Sequence, residues 1–448
     1  MSGGSGERSE PPDVPEVLFV LALVGYTGAA QFATNLLKTL RHDATLFAYA
    51  GKLVNRGYVP YRDFWDNKPP MIFYTEAWAY RIFGDGWGAP TVMQAGFYIV
   101  TVILLWLLAR HLFGTSMWGR AAFLLLATLL INLPYNVSGS NITETYMLLP
   151  MVAAVVVLRP LDRPEQPWRW LAAGALSAVA VLYKPPAAAL GVVALVPLLL
   201  AEPARGSTRL RTVLTFGGAY AAGVLGTLAL ATGLAARHGV AGEMWFATLG
   251  YNLSPRVEIT LPPPSWLDPN RYFMLRSRHG TWSLLASFGL FGVVAAGARL
   301  RGRIPKRIRL AVGLAAAWIL ADVMLALVPG QTFAHYLVPM TVSASFGAAL
   351  AFDTARLRRI VGSGWRFAVP GLAALMIAVQ WTALVAELPA RIRAGLARTL
   401  ATSNTLSSPR LPDQRVAWLL HQRGLKPDEP VMTWGHQLGH MMYLGNPP

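Results

Sequence analysis

Apolar residues run along this chain in long, nearly unbroken blocks of 14 to 24 positions, separated by polar segments most of which are short. Blocks of about 20 apolar residues have the length of membrane-crossing helices, and somewhat shorter ones suffice for helices buried among others. Eleven such spans are predicted, at 16–37, 93–112, 121–134, 142–158, 170–183, 187–201, 213–236, 282–298, 310–328, 336–352 and 367–386. A twelfth apolar stretch, 71–83, is too short and too polar to cross and reads as a juxtamembrane or re-entrant helix. The fold class expected is therefore an all-α polytopic membrane protein. Residues 1–15, rich in Gly, Ser and acid, form a disordered cytoplasmic tail, and 16–386 form the transmembrane domain. Residues 387–448 form a small appendage with one short strand-like stretch at 430–434.

Composition supports this parsing. Only 14% of the 448 residues are charged and 54% are hydrophobic, whereas an ordinary soluble domain carries about 25% charge. A soluble enzyme, a disordered chain and a fibrous repeat are excluded. The net charge of +17 would suggest nucleic acid in a soluble protein, but in a polytopic one Lys and Arg collect in cytoplasmic loops. With the N-terminus inside, the inner loops are 110–120, 159–169, 202–211, 299–309 and 353–366. Those 57 residues hold 18 of the 39 Lys and Arg, so the asymmetry sets the orientation and leaves no case for nucleic acid. Cysteine is absent, which excludes disulfides, Cys-ligated zinc and thiol catalysis.

Three segments then fall outside: the loop 38–92, the loop 237–280 and the tail. Long loops are where function concentrates. In the first, Asp43 follows span one directly, and Tyr61, Arg62, Asp63, Asp66 and Lys68 lie among aromatic and proline residues (Pro60, Phe64, Trp65, Pro69, Pro70). Carboxylates supply a base or a metal site, and Lys and Arg compensate phosphate charge. The competing reading is a solvated, proline-stiffened loop at head-group level. Glu144 stands at the outer start of span four, Lys184 at the outer end of span five, and His335 and Tyr336 at the outer start of span ten. Ionisable residues beside membrane segments are costly and are functional candidates by default, although each has a bland alternative in snorkelling, capping or helix packing. Arg276 and Arg278 close the middle loop and suit phosphate or ordinary head-group contact. Two Asn-X-Ser/Thr sequons, at Asn136 and Asn141, are chance matches in a short loop. No nucleotide-binding glycine loop or His-Glu-X-X-His zinc motif occurs.

The run Tyr61-Arg62-Asp63-Phe64-Trp65-Asp66-Asn67-Lys68-Pro69-Pro70, with Asp43 before it and Phe83-Gly84 after it, resembles the multispan C-type glycosyltransferases. The nearest branch is the bacterial protein O-mannosyltransferase-like group, which includes lipid A aminoarabinose and galacturonic acid transferases. His335, Tyr336 and Pro339 and the tail's Val431 to Gly435 extend the resemblance. It implies a C-type glycosyltransferase-like architecture, a plasma (inner) membrane location, and an outward-facing active site. The implied reaction moves a sugar from a polyprenyl-phosphate donor to a lipid, glycan or protein acceptor, with inversion. In that reading Asp43 is the base or acceptor-orienting group, Lys68 sits near the donor phosphate and Glu144 is the second acidic position. Departures are Glu in place of the more usual Asp at 144 and a tail shorter than that of many relatives. The residues leave open whether a divalent cation takes part, since two or three carboxylates suit either role. A transporter or flippase of a lipid-linked substrate is the alternative, and an inactive envelope scaffold a third. A transporter would place its ionisable groups near mid-membrane in two related halves, whereas these sit at span ends on one side and no internal repeat is visible.

The orientation has a direct test. A Cys-free chain accepts single cysteines freely, and Ser408→Cys should react with an impermeant maleimide only from outside intact cells. Labelling confined to inverted vesicles would reverse the topology.

Overall fold

The structure, a computed structural model, describes residues 14–31, 43–86, 88–132, 141–159, 161, 164–204, 206–253, 306–327, 334–350 and 393. Among these the chain is helical, with a single isolated bridge, Pro60 to Phe64, in place of any strand. The predicted spans at 282–298 and 367–386, Arg276 and Arg278, and the strand-like stretch at 430–434 lie outside the described residues.

The long helices follow the apolar blocks. They are α1 (Val14–Gln31), α4 (Ala89–Phe113), α5 (Met117–Ile131), α6 (Thr143–Val157), α7 (Pro167–Val181), α8 (Ala189–Leu200), α9 (Arg209–Ala236), α10 (Lys306–Leu327) and α11 (Met340–Ala349). Helices α1, α4 and α9 have the length and apolar composition to cross a membrane on their own. In the others the apolar stretch itself is shorter, as at Leu310–Ala326 within α10. Every N–H and C=O of such a segment must be satisfied within the protein, which helices do unaided. The chain is a multi-pass membrane protein. The stretch 71–83, expected as a juxtamembrane or re-entrant helix, is helical as α3 (Met71–Phe83), and it packs against α2 (Asp43–Asn55), which runs inside the first loop. The span expected at 16–37 is helical to Gln31 in the described part.

Packing is close where glycines meet. A β-carbon on Gly51 would overlap the backbone of Glu76 and Ala77, so α2 and α3 cross almost backbone to backbone. On the lipid-facing flank, Gly174 of α7 faces the Tyr220 carbonyl and Gly223 of α9 faces the Leu171 carbonyl with the same intimacy. Small residues permit this approach in membranes, where dispersion and polar contacts, and not water exclusion, hold helices together.

At one end of the bundle a chain of buried amides ties four segments. Gln31 donates to Asn132 at 2.9 Å, Gln94 donates to Gln31 at 3.1 Å, and Asn132 donates to Thr27 at 3.1 Å. The Asn141 backbone N–H donates to Gln94, and the Tyr146 hydroxyl donates to Asn141. Asn141 takes a positive φ of 75° to do so, a conformation that Asn tolerates better than most residues.

Beside this network Glu76 of α3 is fully buried. Neither of its carboxyl oxygens has a hydrogen bond of good geometry among the described residues, although Tyr146 and Asn141 lie near enough to offset part of the burial cost. Burial lifts its pKa from 4.5 to about 8. A raised carboxyl stabilises the fold below the unfolded value and loses that contribution as pH rises through the folded one. Stability should therefore fall from pH 4.5 towards 8, by at most about 1.4 kcal/mol per pH unit. Glu76→Gln should flatten that slope and unfold at higher temperature at pH 8. Parallel thermal melts in detergent at pH 5.5 and 8 check this, and an unchanged slope would refute it.

Candidate active site

The site is built where α6 begins, α7 ends and the turn before α11 passes. Glu144 lies in the first turn of α6, is 2% exposed, and accepts a hydrogen bond from Thr143 Oγ1 at 2.9 Å. Lys184 follows α7, where Pro185 and Pro186 force a 3₁₀ turn (Pro185–Ala188) and stop the helix. The Lys184 ammonium donates directly to Glu144 Oε1. His335 and Tyr336 sit on a 3₁₀ turn (Ala334–Leu337), with His335 Nε2 3.5 Å from the same Glu144 oxygen. Lys184 Nζ lies 3.7 Å from the centre of the Tyr336 ring, and the His335 ring packs edge-on against Tyr336 at 4.9 Å. One carboxylate thus meets an ammonium and an imidazole, with an aromatic face beneath the ammonium.

Burial pushes the Lys184 ammonium down from its ordinary value, and the Glu144 carboxylate opposes it. Burial likewise lowers the His335 imidazole, against the pull of Glu144. Asp43 and Lys68 act on both Lys184 and His335 electrostatically, so α2's N-terminal residue and the first loop's lysine stand within electrostatic reach of the same centre.

The first loop is held in shape by its own polar groups. Tyr61 is buried with φ 68°, its N–H donates to the Phe64 carbonyl at 2.7 Å, and its hydroxyl donates to the Lys68 carbonyl at 2.7 Å. Asp66 accepts from the Lys68 N–H at 2.9 Å, and Lys68 Nζ donates to Asn67 Oδ1 at 2.7 Å while staying 3.9 Å from Asp66. Met71 N–H donates to the Leu182 carbonyl at 3.1 Å, which fixes the loop's exit two residues from Lys184. Trp65 stacks edge-on with Tyr251 at 5.1 Å and Asn67 bonds Asn252 at 3.2 Å, so the first loop rests on the start of the middle loop.

The sequence candidates therefore divide. Asp43, Lys68, Glu144, Lys184, His335 and Tyr336 converge. Asp63 instead accepts the Val59 N–H at 2.6 Å and pairs at 3.0 Å with Arg62, whose side chain is 52% exposed. The Arg62 guanidinium and the Val59 N–H hold the Asp63 carboxyl below its ordinary value. Asp66 and Tyr61 brace the loop around Lys68. Among the described residues no three His, Asp or Glu side chains converge in a way that could hold a metal ion.

Two buried acids fall outside the sequence reading. Glu76 lies behind the site, and Asp322 of α10 lines one cleft with Glu144, Lys184 and Tyr336. A lone acidic residue inside the apolar block 310–328 was the available signal for Asp322. Glu76 had a weaker one, since 71–83 looks amphipathic whichever way its polar residues point.

Residues 67–231 match the family described as dolichyl-phosphate-mannose-protein mannosyltransferase. A comparison with curated proteins finds no match. Among solved structures the chain is similar to ArnT from Cupriavidus metallidurans, whose crystal structure contains undecaprenyl phosphate. Identity is 17% and the TM-score 0.51, over 96% of this chain and 85% of that one. A second similar structure is the oligosaccharyltransferase of Archaeoglobus fulgidus without ligand, at 13% identity and TM-score 0.45, over 97% of this chain and 64% of that one. The chain has the C-type glycosyltransferase fold.

Removing one partner of a buried ion pair strands the other charge, at a cost of about 3–5 kcal/mol, whereas replacing both is nearly neutral. Lys184→Met should lower thermal stability in detergent by about that much, and Glu144→Gln combined with Lys184→Met should restore most of it. A single variant as stable as the unaltered protein would mean that the pair is solvated.

Proposed function

We propose that this protein is a membrane glycosyltransferase that moves a sugar from a polyprenyl-phosphate donor to a hydroxyl of a lipid, glycan or protein acceptor, with inversion at the anomeric carbon. The observation that carries this reading is the buried Lys184 ammonium held between Glu144 and the Tyr336 ring. It lies at one end of the bundle, beside Lys68 and Asp43, in the fold shared with a membrane enzyme crystallised with undecaprenyl phosphate. The reacting centre is assigned to the extracytoplasmic face of the inner membrane, as the loop charges favour.

The chemistry is economical. The acceptor oxygen forms a bond to the anomeric carbon while the bond from that carbon to the phosphate oxygen breaks, and the lipid phosphate leaves with the electron pair. Asp43, at the start of α2, takes the hydroxyl proton. Lys184 and Lys68 receive the charge that grows on the leaving phosphate; preformed cations in a partly dry site stabilise such charge better than water does. Glu144 and His335 hold Lys184 in place until the phosphate arrives. Arg276 and Arg278, at the far end of the middle loop, are assigned as helpers in donor binding. No step calls for a nucleotide.

The test is transfer by the purified full-length protein from radiolabelled polyprenyl-phosphate sugars, with product stereochemistry read by NMR. Asp43→Asn should reduce turnover at least about a hundredfold, the range of general-base catalysis. Lys68→Ala should raise the apparent KM for donor more than that for acceptor. Near-normal turnover in Asp43→Asn would remove Asp43 from the mechanism, and an unchanged donor KM in Lys68→Ala would move the phosphate elsewhere.

A further inference from the structure

Asp322 belongs to α10, a helix made almost wholly of Ala, Leu, Val, Ile and Met over this stretch. It stands five residues before Leu327, about 7.5 Å along the axis from the helix end nearest the site. Its side chain is 4% exposed. Oδ2 accepts a hydrogen bond from Ser343 Oγ of α11 at 2.7 Å, and that bond fixes the carboxyl plane. Oδ1 has no hydrogen-bond partner among the described residues. The cleft that Asp322 lines is shared with Lys184, Glu144 and Tyr336, and its remaining walls are apolar, from Met147, Leu325 and Pro339 among others. A buried acceptor without a partner is costly and calls for an explanation. A ligand that brings a donor into the cleft supplies one.

Resting on the donor reading above, we propose that Asp322 recognises the transferred sugar. Its Oδ1 accepts a hydrogen bond from a hydroxyl or ammonium group of a sugar whose phosphate is held at Lys184. The cleft holds one ammonium, Lys184, beside the acidic side chains of Glu144 and Asp322, and a phosphate claims that ammonium. A carboxylate on the sugar would then enter an apolar cleft whose lining, among the described residues, offers no second cation to offset it. The substrate class is therefore a neutral or amino sugar, and a uronic acid is disfavoured. This makes Asp322 a specificity residue, distinct in its role from the groups that bind phosphate.

Asp322→Asn is a sharp probe because it keeps the shape and one oxygen for Ser343, and it exchanges the unpaired acceptor for an N–H donor. Three lipids serve with the full-length protein in detergent: undecaprenyl phosphate without sugar, its neutral hexose derivative, and its uronic acid derivative. Asp322→Asn should weaken binding of the hexose lipid roughly ten- to a hundredfold and narrow the preference for hexose over uronate, while binding of the sugar-free lipid stays within about twofold. Lys184→Ala should weaken all three. Equal weakening of the sugar-free lipid by Asp322→Asn, or an unchanged hexose affinity and sugar preference, would overturn the assignment. If Asp322→Asn does not fold, Ser343→Ala releases the carboxyl plane and should weaken the hexose lipid selectively; weakening of both lipids alike would again overturn it. Failure of the unaltered protein to bind even sugar-free undecaprenyl phosphate would instead overturn the donor reading, and this assignment with it.

Discussion

A buried ammonium against a buried carboxylate organises one end of this protein. Neither Lys184 nor Glu144 could sit where it does without the other, because an isolated charge at that depth costs several kcal/mol. Their meeting sets the relative height of α6 and the end of α7. It recruits His335 and Tyr336 from the turn before α11, and the Met71 to Leu182 hydrogen bond carries the first loop to the same place. Four segments distant in sequence are brought to one point by the need to neutralise two charges away from water.

The pair is also a store of binding capacity. In the proposed reaction, an ammonium already stripped of most of its water has met its desolvation cost before a phosphate arrives, and its carboxylate partner keeps it from losing the proton meanwhile. The aromatic face of Tyr336 contributes attraction without hydrogen bonds that would have to be broken. Such a cation exchanges one anionic partner for another, a smaller change than leaving bulk water.

Much of this was legible in the sequence. Apolar blocks gave the helices because, in a membrane, length and composition nearly dictate structure. Glu144, Lys184, His335 and Tyr336 were legible because charge or histidine at the edge of an apolar block is expensive enough to need a reason. Asp63 and Arg62 show the limit: a polar loop writes its scaffold and its chemistry in the same letters, so the surface pair that ties the turn looked no different from Lys68 beside it. Asp322 was hidden for the opposite reason. It lies inside a block whose apolar average absorbs one acid, and its significance rests on Ser343 and the cleft, which only the packing of α10 against α11 creates.

The glycine seam between α7 and α9 has a consequence of another kind. Helix α9 meets α7 through backbone at Gly174 and Gly223, while most of its surface faces away from the other described residues. Natural selection therefore grips that helix at a few points. Away from that seam and from its bonded side chains, Tyr220 to Ser177 and Thr232 to Trp245, its exposed Leu positions such as Leu225, Leu230 and Leu234 are free to exchange for other apolar residues as the host's lipids change. Across distant relatives, the outward face of α9 would record the membranes these proteins have lived in, and the seam would record the ancestry they share.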